Sequence, residues 1–461
     1  MKNKLFSPTD MTVGTPWKSI VKFTIPMLIG NVAQQLYSTV DSIVVGQYIG
    51  DNALASVGSA MPILNMLLVL FMGISAGANI MVSQYFGARN REALSKTIGT
   101  SLTVTFICSV FMMVVGTPFI RPVLEALNTP EAIIDGCEDY LVICILGIAG
   151  MAYYNILSGI LRGMGDSVSS LIYLLVATVI NIILDVYFVA VVNMGVGGVA
   201  LATIIAQFVS SVLCIIKLTR MRELFDFKLS ALKPDSVYVK TIVKLGIPSG
   251  LTQAIFSSAM IIVQSLTNRF GEMFIAANVV IMRVDGFAMM PNFSFGLALT
   301  TYAGQNIGAG KLERVTQGAK QGTLVAVLCS AVITGIILIF GKYLMAIFTD
   351  TRELVDMSNY LMKILAAGYV AVAVTQGLSG IMRGAGDTMT PMWISLITTV
   401  AIRVPVAYAI SYLTKSETLP YGRSECIQIS LLVSWLMGAL LTVLFYSRGK
   451  WKNKAINQAK E

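Results

Sequence analysis

Four residues with oxygen and amide chemistry stand where hydrocarbon would be expected. Asp41 lies in the later half of an apolar stretch, 17–49, that is long enough to cross a bilayer and is broken by Pro26 near its start. Asn31, Gln34, Ser38 and Asp41 recur at spacings of 3 and 4, so a helix gathers them into one polar stripe. An ionised carboxylate in hydrocarbon costs at least roughly 2.5 kcal/mol, which makes an intramembrane Asp a functional candidate; the alternative is a cap or solvated rim at the helix end. Asn181 and Asp185, four apart within 179–188, share a helix face in a second apolar stretch. At 1.5 Å per residue, Asp41 lies about 32 Å along a helix entered from the inside, and Asp185 about 27 Å along its own. Thr203, in a helix running the other way, lies about 9 Å from the outer end. All three arms bring their polar groups to the outer half of the membrane. Two carboxylates, an amide and a hydroxyl at one depth suit a hard monovalent cation such as Na⁺, or a carboxyl pair sharing a proton.

The elements that position these groups follow from composition. In 461 residues, 56% are hydrophobic and 12% charged, and the mean hydropathy is +0.76, too apolar for a soluble chain of this length. Twelve segments reach the length of a membrane helix, roughly 18–46, 54–83, 95–118, 138–161, 168–192, 196–218, 241–268, 273–304, 318–340, 358–382, 389–413 and 426–447. The expected class is an all-α polytopic membrane protein. The first apolar run is too long for a signal-peptide core and is expected to remain as the first span. With the amino terminus inside, 24 of the 33 lysines and arginines fall in inner loops and ends and 6 in outer loops, which predicts both termini in the cytoplasm of a cell-membrane protein. That distribution assigns the net charge of +9 to topology and argues against a nucleic-acid partner. The 6 cysteines are scattered singly without ligand spacing, and the chain has no histidine. Both features lower the odds of metal chemistry or of an enzyme.

The chain also repeats itself. Residues 18–26, 84–88 and 158–167 recur at 240–248, 305–309 and 379–388, six spans apart, so the two halves share one orientation. The predicted division is an amino-terminal six-helix lobe over 1–220, a cytoplasmic linker over 221–240 and a carboxy-terminal six-helix lobe with its tail over 241–461. Transporters that rock two bundles about a central cavity use such parallel repeats. The R-G-x-G-D turns at 162–166 and 383–387 read as inner hairpins, and the acids of loop 117–139 as a solvated run around Arg121. The second half departs from the first: Val263, Ile402 and Val406 stand where Asp41, Asn181 and Asp185 would be, so cation chemistry belongs to the first half. The second half carries its own charges, Arg283, Asp285 and Arg403, with structural or substrate-contacting roles, and Asn278, Asp285 and Asn292 recur every seven residues on one face.

Twelve spans in two parallel halves, Pro26 and Asp41 in the first helix, the paired S-G-I-x-R-G-x-G-D motifs and the N-x-x-x-D of 181–185 resemble the multidrug and toxic compound extrusion (MATE) family over essentially the whole chain. The resemblance implies a V-shaped pair of lobes that alternate around a cleft and export amphipathic, cationic, drug-like compounds in antiport with Na⁺ or H⁺. It implies a first-lobe cation site at Asp41, Asn181, Asp185 and Thr203, with Gln34, Tyr37, Tyr140 and Asn155 in the surrounding network and Pro26 as a helix bend. Phe256 stands where the NorM-like branch carries an acid, so the chain is similar to the DinF-like branch. No cofactor beyond the coupling ion is expected, and the partners are the small-molecule substrate and membrane lipids, for a monomer. A flippase for a lipid-linked precursor is the alternative within transport. A membrane-embedded transferase would be expected to show larger loops with a donor-binding motif; the inner loops are mostly short and contain no P-loop or G-x-G-x-x-G.

Overall fold

The computed structural model describes residues 8–127, 129–221, 223–226 and 229–456, without the side chains of Ser38, Asp51, Leu229 and Ser230. Lys2, Lys4, Arg222, Lys228 and Lys460, counted in the charge bias, and the Ser38 side chain of the polar stripe lie outside the described part. Every regular element among the described residues is helical. They run as α1 (Pro16–Tyr48), α2 (Asp51–Gly87), α3 (Arg91–Phe111), α4 (Thr117–Ala126), α5 (Glu131–Leu146), α6 (Ile148–Gly163), α7 (Ser167–Val186) and α8 (Gly195–Arg220). The second series is α9 (Ser236–Thr267), α10 (Glu272–Gly308), α11 (Leu312–Ala346), α12 (Arg352–Ala366), α13 (Gly368–Gly384), α14 (Met389–Leu396), α15 (Arg403–Leu413) and α16 (Cys426–Ser447).

Sixteen helices make twelve crossings because several spans are interrupted. α3 runs into α4, α7 ends, and α14 runs into α15 through π-helical turns at Met112–Gly116, Tyr187–Val191 and Ile397–Ile402. α5 and α6 meet at a 54° bend and α12 and α13 at 44°, each pair counting as one span. Among the described residues, 9 helical stretches, with α3–α4 and α14–α15 each taken as one, and these 2 bent pairs can cross a membrane by length and composition. The remaining crossing is α1, whose 33 residues suffice in length while its polar stripe lowers its hydropathy.

Two compact units divide the chain. The first holds Ile25–Gly250 with the residues up to Asp10, and the second holds Met11–Thr24 with Leu251–Glu461. The division therefore falls within two residues of Pro26 and of Pro248, rather than at the linker that the repeat suggested. Proline lacks the amide that would bond one turn back, so the helix ladder is weakest where α1 and α9 change unit.

Within the first unit the linker is docked on α3. The Asp226 amide donates to Ser95 Oγ (2.9 Å), Thr103 Oγ1 donates to the Leu232 carbonyl (2.6 Å), and Arg91 pairs with Asp226 (3.0 Å). α9 begins at Ser236, so the last part of the predicted linker is helix. α9 then lies against α2 through glycines: a Cβ on Gly246 would stand 2.5 Å from the Gly73 carbonyl oxygen. Small residues let helix backbones approach in a membrane, where dispersion supplies most of the attraction. Gly246→Ala is expected to cost about 1–3 kcal/mol by overpacking. Gly58→Ala, whose Cβ meets nothing within 4 Å, should be neutral or stabilising, and thermal unfolding of the two purified variants checks the contrast.

The R-G-x-G-D turns act as caps. Asp166 accepts from the Ser169 amide (2.9 Å) and hydroxyl (2.8 Å) at the start of α7 and pairs with Lys217 (3.3 Å). Asp387 accepts from the Thr390 hydroxyl at 2.8 Å in the second unit. Gly165 and Gly386 supply φ values of +88° and +96°, in the left-handed region that favours glycine. Arg121 gathers Glu125, Asp135 and Glu138 at 2.6–3.4 Å on the surface, where such pairs contribute little.

Candidate functional site

In the first unit α1, α7 and α8 bring four of the expected residues to one point. Asp41 is 3% exposed, Asn181 and Asp185 0%, and Thr203 6%, so the charged pair is removed from water together with its partners. The spacing 181, 185 on α7 places amide and carboxylate one turn apart, and Asn181 sits between the two acids. In the amide orientation that satisfies both of its ends, Asn181 donates to Asp41 Oδ1 (2.9 Å) and to Asp185 Oδ2 (3.0 Å). Those two oxygens are therefore no more than about 6 Å apart. The Tyr37 hydroxyl lies 3.2 Å from the Asn181 amide oxygen and 3.0 Å from Thr203 Oγ1. Asp185 Oδ1 is buried and has no donor.

That set has a definite chemical deficit. A single neutral amide spends both of its protons on two acids, and one carboxylate oxygen is left bare in a low-dielectric interior. An unpaired buried charge costs several kcal/mol, so the arrangement favours whatever positive species can enter it. A proton shared by the carboxyls or a monovalent cation held by carboxylate, amide and hydroxyl oxygens fits the donor set equally. Among the described residues no three His, Cys, Asp or Glu side chains gather at one point, so two acids are all this site offers.

The other predicted members are distributed differently. Tyr140 is buried at 2% exposure beside the Cys144 thiol and within electrostatic reach of Asp41 and Tyr37. Asn155 donates its amide to the Met151 carbonyl on its own helix (2.8 Å), and the structure does not bring it to the acids. Gln34 is exposed on α1, about two turns before Asp41. Pro26 lies inside α1 beside the change of unit.

In the second unit Arg283 is exposed, and Asp285 is half-buried and accepts from the Tyr369 hydroxyl at 2.8 Å. Arg403 is buried at 6% exposure. The heptad stripe of α10 is used throughout: Asn278 accepts from Gln428 (3.3 Å), and Asn292 donates to the Tyr369 carbonyl (3.3 Å) and accepts from Ser330 (2.6 Å). Tyr369 and Gln428 were not foreseen from the sequence. A lone Tyr in α13 and a Gln at the start of α16 carry no spacing signal; only the stripe they face did.

The MatE family model matches residues 26–187 and 248–409, one match in each half. The chain is 30% identical over 451 residues to the probable multidrug resistance protein YoeA of Bacillus subtilis, covering 96% of both chains. It is 26% identical to the probable multidrug resistance protein NorM of Thermotoga maritima, covering 95% of this chain and 94% of that one. Among solved structures, a MATE protein in its bent conformation is similar with a TM-score of 0.89 at 23% identity, over 98% of this chain and 100% of that one. The agreement runs the length of the chain, through both copies of the repeat and the helices that carry Asp41 and Asp185. The chain belongs to the MATE family of multi-pass membrane transport proteins.

Proposed function

We propose that this protein is a secondary active exporter of amphipathic, cationic drug-like compounds, working by alternating access in antiport with Na⁺ or H⁺ across the cell membrane. Both termini are cytoplasmic in this reading, as the 24 to 6 distribution of basic residues requires. The observation that carries it is the pair of buried acids bound to one Asn181 amide, with Asp185 Oδ1 left for an incoming cation or proton. The names of the relatives, multidrug resistance proteins, support drug-like substrates and do not favour a lipid-linked precursor. Phe256 in place of an acid supports the DinF-like branch, with coupling confined to the first unit.

In the cycle, the ion binds Asp41 and Asp185 and cancels one of their two charges, the first unit repacks about Pro26, and substrate is released outside. Loss of the ion to the cytoplasm resets the site. Ion and substrate need to destabilise one another by only about 1–3 kcal/mol for the coupling to be effective. Uptake of a fluorescent cationic dye by everted vesicles, energised in turn by a Na⁺ and a proton gradient, tests this reading. Accumulation under one gradient names the ion, and no accumulation under either refutes antiport of such compounds. Tyr37→Phe removes one hydroxyl from the cluster and should weaken apparent ion affinity about fivefold, the equivalent of one ordinary hydrogen bond, with the maximal rate retained. An ion titration of dye uptake checks it.

A further inference from the structure

Arg403 has no use in the mechanism above, and its surroundings do not account for it. It stands at the first position of α15, directly after the π-helical turn Ile397–Ile402, and is 6% exposed. π-helical turns recur at functional sites because the widened turn re-aims the side chain that follows. By the repeat it is the counterpart of Ile182, one residue beyond that of Asn181, so the second unit buries a cation where the first carries an apolar residue.

A guanidinium carries five N–H donors. Among the described residues none of Arg403's is used: no hydrogen bond or ion pair involves it, and Nε and Nη1 are fully enclosed without a partner. Asp285 is close enough to act on it electrostatically but does not touch it. Asp285 is itself fixed by Tyr369, which binds its Oδ1 at 2.8 Å. The cluster is open at one edge: Asp285 is half-buried, Met282 one turn before it is exposed, and Gly286 borders empty space.

The inventory is complementary to one kind of molecule. Unused donors on a permanent cation require an anionic acceptor, while the Asp285 carboxylate requires a positive or donor group nearby. An ordinary structural ion pair would have closed the gap between Arg403 and Asp285 directly.

We propose that Arg403, with Asp285 and Tyr369, forms a substrate site in the second unit that takes the carboxylate of a zwitterionic amphipath. Arg403 receives the carboxylate, and Asp285 receives the positive end. This rests on the reading of the chain as an exporter of amphipathic compounds and narrows the substrates to those carrying a carboxylate beside a cation.

The test is equilibrium binding of rhodamine B, a zwitterion, and of its ethyl ester, a cation, to the full-length protein in lipid nanodiscs, read by fluorescence polarisation. Wild type should bind the free acid more tightly than the ester by about tenfold or more, the scale of a charge-assisted hydrogen bond. Arg403→Gln should abolish that preference, weakening the free acid about tenfold while the ester, relieved of a nearby positive charge, binds at least as tightly as in wild type, and Arg403→Lys should retain part of it. Retained ester affinity reports an intact fold in each variant. Equal affinity for the two dyes in wild type, an equal loss of both in Arg403→Gln, or no saturable binding of the free acid overturns the proposal. Export of the ester by vesicles would leave the exporter reading standing in each of those cases.

Discussion

Asp41→Asn, and separately Asp185→Asn, should reduce gradient-driven dye accumulation to the background of vesicles lacking the protein, with membrane levels unchanged. Asparagine keeps the shape of aspartate and can still hydrogen-bond the Asn181 side chain, so packing survives. What it cannot do is exchange a proton or neutralise a cation. With one acid left, the Asn181 amide alone compensates the remaining charge and the drive to take up a positive species largely disappears. Either substitution should therefore uncouple both directions of the cycle. Asn155→Ala is the matched control, because its amide is spent on its own helix and lies outside the cluster; accumulation should stay near wild type. Equal loss in all three variants would show a general defect of folding instead of a coupling site.

The second large effect is expected of Asn181→Leu. Leucine fills about the same volume but removes two hydrogen bonds to charged groups, each worth about 1.5–3 kcal/mol. The carboxylates would face each other with nothing between them, the ion-free state would lose at least about 3 kcal/mol of compensation, and the site would hold its cation or proton up to roughly a hundredfold more tightly. Unlike Asp41→Asn, this variant keeps both charges. It should hold its ion too tightly to turn over, with dye uptake slowed and half-saturated at a lower ion concentration than in wild type, which an ion titration separates cleanly from the carboxylate variants.

Much of this site was legible in advance because membrane physics makes polarity expensive. Asp41, Asn181 and Asp185 stood out against apolar surroundings, and a rise of 1.5 Å per residue was enough to bring them to one depth. The twelve spans and the offset between the halves were legible for the same reason. What the spacing did not contain was the division of α1 and α9 between units, which depends on helix-to-helix approach at glycines such as Gly246. Nor did it contain the docking of the linker, whose charged composition hides the backbone contacts at Ser95 and Thr103 that hold it. Tyr369 and Gln428 escaped because one Tyr or Gln in an apolar helix is ordinary until its partner is known. Asn155 illustrates the converse: the family resemblance suggested a network residue, while its own helix supplies the carbonyl that satisfies it.

The most direct test of the central claim is simultaneous measurement of ion and dye flux in proteoliposomes holding the purified protein. The internal Na⁺ and proton concentrations and the dye would be followed in the same sample, for wild type and for Asp41→Asn. The account predicts that in wild type one of the two ions moves opposite to the dye in fixed proportion, and that both fluxes vanish together in the variant. Dye movement against its gradient without a counter-flow of either ion, or an unchanged coupled flux in Asp41→Asn, would contradict it.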